Sequence, residues 1–223
     1  MAAKRTSGAV VAGYGAILAG SLLLGRALAS SIGPVIHSGK ASWILGRGLG
    51  LASLLSLAAL VSFGVMIRHP LRAKIMPIKP LTVTKVHSTL GAATFMLVIA
   101  HLTAMALDPW AHIGWLGALV PGASTYRTVP VALGTVALLL MLVVGGTARM
   151  AGRLGRVRWL QIHRVSWLVL LTAVIHGLTT GSDTTSLRFV YAGVAGIVVA
   201  LALSARLLRA LAPPRQGAPG GAR

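Results

Sequence analysis

Six stretches of this chain are so long and apolar that each needs either a lipid bilayer or a very large core to hide it. They fall at residues 10–32, 43–67, 81–107, 129–149, 159–180 and 185–207. About 20 residues of helix, rising 1.5 Å each, cross the roughly 30 Å hydrocarbon core of a membrane. Only a helix satisfies its own backbone there segment by segment. Charged residues make up 10% of the 223-residue chain, against about a quarter in a soluble domain, and the mean hydropathy is +0.83. The expectation is an all-α integral membrane protein built as a six-transmembrane-helix bundle. Residues 1–9 form a cytoplasmic N-terminus, 10–207 the transmembrane domain, and 208–223 a disordered cytoplasmic tail ending PPRQGAPGGAR. The start MAAKR, followed by an apolar run and ALA at 27–29, also has the outline of a signal peptide, but Arg26 stands where a cleavage region is uncharged.

The basic residues orient this bundle. Lys4 and Arg5 precede the first segment. Arg68, Arg72, Lys74 and Lys79 fill the second gap, and Arg149, Arg153, Arg156 and Arg158 the fourth. Arg206, Arg209, Arg215 and Arg223 follow the last segment. The alternate gaps hold only Lys40, Arg127 and Arg188. This bias places both termini in the cytoplasm of a multi-pass protein of the cytoplasmic membrane. Trp43, Trp110, Trp115 and Trp159 fall near the expected interfaces, as aromatic belts do. The net charge of +19 is divided among short clusters rather than gathered on one arm, so no nucleic-acid partner is expected; lipid is the surrounding partner. Cysteine is absent, which excludes disulfides, thiolate metal sites, iron–sulfur clusters and covalent c-type haem. No polar stretch is long enough to fold as a flavin or nucleotide domain. The glycine clusters GYGAILAG and GRGLG lie inside apolar runs and read as close helix packing.

Against this background four histidines stand out. Residues 86–101 read VHSTLGAATFMLVIAH and residues 162–176 read IHRVSWLVLLTAVIH. The third and fifth segments run in the same direction, so His87 and His163 lie at similar depth near the cytoplasmic face. His101 and His176 lie near the outer face, about 20 Å away. Two imidazoles at each level, without a nearby carboxylate or thiolate, suit zinc or calcium poorly. They suit a haem b held by one axial histidine from each side. On helical geometry His101 returns to within about 40° of the face of His87, whereas His176 falls about 140° from His163. The fifth helix must therefore be distorted, or its two sites must differ in azimuth. Other readings of the four histidines are a proton or metal-ion transporter, a haem-free membrane scaffold, or plain interhelical hydrogen bonds. His37, His69 and His112 sit in gaps and read as ordinary loop residues.

With two histidines 14 apart on the third helix and two 13 apart on the fifth, the chain resembles the ferric-reductase-like transmembrane domain family. This family includes the membrane halves of NADPH oxidases and ferric-chelate reductases, and the haem subunits of bacterial methionine-sulfoxide repair systems. The resemblance covers roughly residues 40–190. DPWAHIGWLGALVPGASTYR (108–127) and IHGLTTGSD (175–183) look like an actinobacterial branch. The resemblance implies two haems b, with iron ligands His87 paired with His163 and His101 paired with His176. It also implies electron transfer across the membrane. The oxidases and ferric-chelate reductases carry a cytoplasmic FAD and NADPH domain after the sixth helix, where this chain has a Pro/Gly tail. The donor is then a separate flavoprotein reductase or the quinone pool, and the acceptor is extracytoplasmic, such as a flavin-binding protein or ferric iron. The sulfoxide-repair subunits usually lack one of the four histidines, and this chain keeps all four.

Haem propionates are anionic and need cations or hydrogen-bond donors when buried. Candidates on the cytoplasmic side are Arg72, Lys79, Lys85 and Arg164. On the outer side they are Arg47, Tyr126, Arg127 and Arg188. Arg47 lies about a turn inside the second segment, where it either meets the haem or snorkels to headgroups; Arg26 is a weaker case of the same kind.

Overall fold

The structure, a computed structural model, describes residues 39–181 and 184–211. The first expected span at 10–32, Arg26, His37 and the tail beyond residue 211 lie outside the described residues. Within them the chain is helical, with no strand. Long helices form at α1 (Ala41–Ile67), α3 (Pro80–Ala106), α5 (Thr128–Arg149), α8 (Ser166–Thr180) and α9 (Thr184–Ala210). Short ones form at α2 (Arg72–Ile75), α4 (Gly114–Leu119), α6 (Ala151–Leu154) and α7 (Arg156–His163). Five helical spans, counting α7 and α8 as one, are long and apolar enough to cross a membrane. The chain is therefore read as a multi-pass membrane protein. Their ends follow local chemistry. Pro80 opens α3 at its first turn, where its missing N–H costs nothing. Gly155, at φ +75°, turns the chain into α7 in a conformation that a side chain would strain.

α1 packs along α3 and α5 along α8, while α9 closes against α1 and α8. Leu54, Leu57 and Val61 of α1 meet Val169, Leu170 and Val174 of α8 and Val194 and Val198 of α9 in the main core. Many large apolar side chains point outward instead, including Leu139, Leu171, Phe189 and Leu203, as lipid-facing positions do. Thr94 is fully buried midway along α3, and its hydroxyl lies 2.7 Å from that of Ser56 on α1.

The expected fifth helix, 159–180, is not continuous. It begins at Arg156 and is interrupted at residues 164–165. There Val165, Trp167 and Leu168 donate to the carbonyls three residues back, Ile162, Arg164 and Val165, at 2.9, 3.2 and 2.8 Å. Such bonds wind the chain at about 120° per residue instead of about 100°. Three tight steps add about 60° of rotation in the sense that brings His176 toward the face of His163. The interruption thus removes part of the 140° mismatch that the 13-residue spacing implies and leaves about 80° of it.

His69 departs from its expected role. It is 5% exposed and ties the loop after α1 to α9. The Leu71 amide donates to its Nδ1 at 3.1 Å, and its Nε2 lies 3.1 Å from Ser204 Oγ. A ring nitrogen that accepts from an amide leaves the other to carry the proton, so His69 is a structural pin between helices. His112 is exposed in the loop after α3, with φ +50°.

Candidate functional site

The structure brings the four intramembrane histidines together in two pairs. The rings of His87 and His163 have centroids 6.0 Å apart and planes 67° apart. Those of His101 and His176 are 6.3 Å and 72° apart. α3 and the α7–α8 rod are therefore parallel, with one pair at each level.

Three of these imidazoles are held by backbone carbonyls. His87 Nδ1 lies 3.1 Å from Leu60 O, His101 Nδ1 2.6 Å from Gly46 O, and His176 Nδ1 2.8 Å from Pro130 O. A carbonyl only accepts, so Nδ1 carries the proton in each ring and Nε2 carries the lone pair. This is the tautomer that ligates a metal through Nε2, with its other nitrogen oriented by the protein. His163 differs: its Nδ1 is buried without a hydrogen-bond partner among the described residues, as is Nε1 of Trp159. These two rings lie 5.2 Å apart.

The His101–His176 pair opens on a cavity of about 510 Å³, within the roughly 300–1,000 Å³ of cofactor sites. Its walls come from α1, α3, α4, α5, α8 and α9, and are mostly apolar, with Leu51, Leu54, Met105, Leu138 and Val169 among them. Arg47, Thr135, Thr180 and Tyr191 add polar groups. Tyr191 is 8% exposed and packs beside Gly177, next to His176. Trp43 also lines the cavity and joins Trp110 and Tyr126 in an aromatic cluster at this end, with centroids 4.8–6.4 Å apart. Asp108 fixes the cluster. Its Oδ2 accepts from the amides of Trp110 (3.1 Å) and Ala111 (2.7 Å), and its Oδ1 from Ser42 Oγ (2.9 Å).

The spacing of the two histidine pairs is the one a haem b held between imidazoles would need. A metal–imidazole bond of about 2 Å, plus roughly 1 Å from nitrogen to ring centre, places two axial rings roughly 6 Å apart. Both observed separations match. Each pair could offer two imidazole nitrogens to a metal, and no group of three metal-ligating side chains converges among the described residues.

The charged candidates divide. Arg47 reaches the cavity, with its guanidinium carbon 5.8 Å from the centre of the Trp43 ring. Arg127 does not line it; its guanidinium donates to Thr179 O at 2.8 Å and lies over Tyr126. Arg188 lies over Phe189. Lys85 and Arg164 are exposed, and Arg72 donates to Ile78 O. Tyr191, Gly64 and Gly134 were not singled out in the sequence, and Gly50 was read, within GRGLG, only as close helix packing. A usable signal existed for two of these glycines, because Gly50 and Gly64 repeat the 14-residue spacing of His87 and His101. Comparison of this chain with protein-family models, with curated proteins and with solved structures finds no match.

Proposed function

We propose that this chain is the di-haem b membrane subunit of a two-component redox system, of the ferric-reductase-like kind, carrying electrons across the cytoplasmic membrane. The observation that carries the reading is the pair of facing histidines at each of two levels, with ring separations of 6.0 and 6.3 Å. In this reading six helices cross the membrane with both termini cytoplasmic, as the basic loops favour. His87 and His163 then stand toward the cytoplasm, and His101 and His176 toward the outside.

When bound, haem b would supply one-electron exchange, and His87 with His163 and His101 with His176 would hold the two groups. The chain's own residues do the rest. Three backbone carbonyls hold imidazoles in the ligating tautomer. The apolar walls of the cavity exclude water and fix the dielectric around the site. Arg47 and Tyr191 offer an anionic edge a cation and a hydroxyl. Electrons enter from a separate flavoprotein reductase or from quinol and leave to an extracytoplasmic acceptor.

The test is protein reconstituted in sealed vesicles enclosing ferricyanide, with a membrane-impermeant reductant outside. Interior ferricyanide should be reduced only when the protein is present, and the His101→Ala and His87→Ala variants should each abolish this. Reduction at the same low rate in protein-free vesicles would overturn the proposal.

A further inference from the structure

Each of the three carbonyl-bound histidines lies against a glycine, and the carbonyl it uses is always four residues before that glycine. His101 bonds Gly46 O and packs on Gly50; His87 bonds Leu60 O and packs on Gly64; His176 bonds Pro130 O and packs on Gly134. In an α-helix the carbonyl at i−4 is the one that receives the N–H of residue i. The imidazole therefore lies in the groove over the glycine and takes the second lone pair of a carbonyl already used by the helix. A Cβ on Gly134 would stand 2.7 Å from His176 Cε1 and 2.8 Å from its Nδ1. On Gly50 it would stand 3.0 Å from His101 Cε1 and Nδ1, and on Gly64 3.1 Å from His87 Cε1. These atoms belong to rings tethered at the carbonyl, so they cannot yield without losing the bond.

We propose that Gly50, Gly64 and Gly134 are positioning residues, whose missing side chains open a helix backbone to an imidazole and so fix its tautomer and direction. The role of the fixed Nε2 as a haem ligand rests on the function proposed above; the backbone lock itself does not. The lock is unevenly distributed. Both members of the His101–His176 pair have it, from α1 and α5. In the other pair only His87 has it. A second 14-residue step along α5 from Gly134 arrives at Ala148, and His163 Nδ1 has no partner among the described residues. Gly50 and Gly134 thus serve one site, and Gly64 alone serves the other.

The experiment compares Gly50→Ala, Gly64→Ala and Gly134→Ala with Gly48→Ala, a position where a Cβ meets nothing within 4 Å. Two readouts are used. The first is the ¹⁵N spectrum of histidine-labelled protein without haem in detergent, which reports the tautomer of each ring. The parent should show Nδ1-protonated His87, His101 and His176. Each substitution should release the histidine it touches and leave the others unchanged. The second is haem titration. Loss of an orienting partner weakens metal-site affinity about 10- to 100-fold, so each substitution should weaken one of two sites by this factor, Gly134→Ala most and Gly64→Ala least. Gly48→Ala should match the parent in both. Unchanged tautomers in all three variants would overturn the proposal. A parent that shows the tautomers but binds no haem would overturn the function and leave the lock standing. Should Gly134→Ala fail to fold, Gly64→Ala, with the mildest contact, carries the test.

Discussion

Replacing Asp108 with alanine removes the acceptor of three hydrogen bonds at once. The carboxylate is 3% exposed and holds the amides of Trp110 and Ala111 and the hydroxyl of Ser42 at 2.7–3.1 Å. A buried donor left without an acceptor costs about 1–3 kcal/mol. The Ala111 bond is buried, whereas the other two are only partly so, and water can replace the carboxylate there. The expected loss is therefore about 2–4 kcal/mol, well short of three full penalties. Asp108→Asn separates geometry from charge. Its carboxamide oxygen can keep both backbone bonds, and its NH₂ can donate to Ser42 Oγ, so it should cost about 1 kcal/mol, the difference between charged and neutral hydrogen bonds. The assay is denaturant-titrated unfolding in detergent, followed by tryptophan fluorescence. Trp43 and Trp110 lie 4.8 Å apart in the cluster that Asp108 anchors, so their signal should also report local loosening. Equal stability of the alanine, asparagine and parent proteins would refute this account of Asp108.

Three further outcomes follow from the structure. Thr94→Val removes the Ser56–Thr94 hydroxyl bond between α1 and α3 and should cost about 0.6–1.7 kcal/mol in the same unfolding assay. His69→Ala deletes the pin between the loop after α1 and Ser204 of α9 and should cost about 1–3 kcal/mol, with increased amide hydrogen exchange at Leu71. Arg47→Leu should weaken haem binding at the His101–His176 site measurably in a haem titration and leave the other site unchanged, whereas Arg127→Leu, whose guanidinium is engaged with Thr179 O, should alter neither.

The helix boundaries were legible because lipid leaves the backbone so few options. The expected spans 43–67, 81–107 and 129–149 differ from α1, α3 and α5 by one or two residues at their ends. The vertical pairing of the histidines was legible from spacing and direction alone. The interruption at 164–165 was visible only as a 140° mismatch, because no proline or glycine marks the place. The burial of His69 was not legible, since its partner Ser204 is 135 residues away. Arg127 and Lys85 were candidates by side of the membrane alone; Arg127 donates to Thr179 O and Lys85 is exposed. On α3, Lys85 is two residues from His87, which places it about 200° around the helix from that ring. Gly134 could not be singled out among the many glycines without knowing that α5 lies against His176.

The most direct test of the central claim is the dithionite-reduced minus oxidised absorption spectrum of purified protein, with haem quantified. His87→Ala and His176→Ala are measured beside it. The account predicts low-spin b-type bands, near two haems per chain in the parent and about one in each variant, because each substitution empties one of two separate histidine pairs. Protein expressed with ample haem that purifies folded and without haem would contradict it.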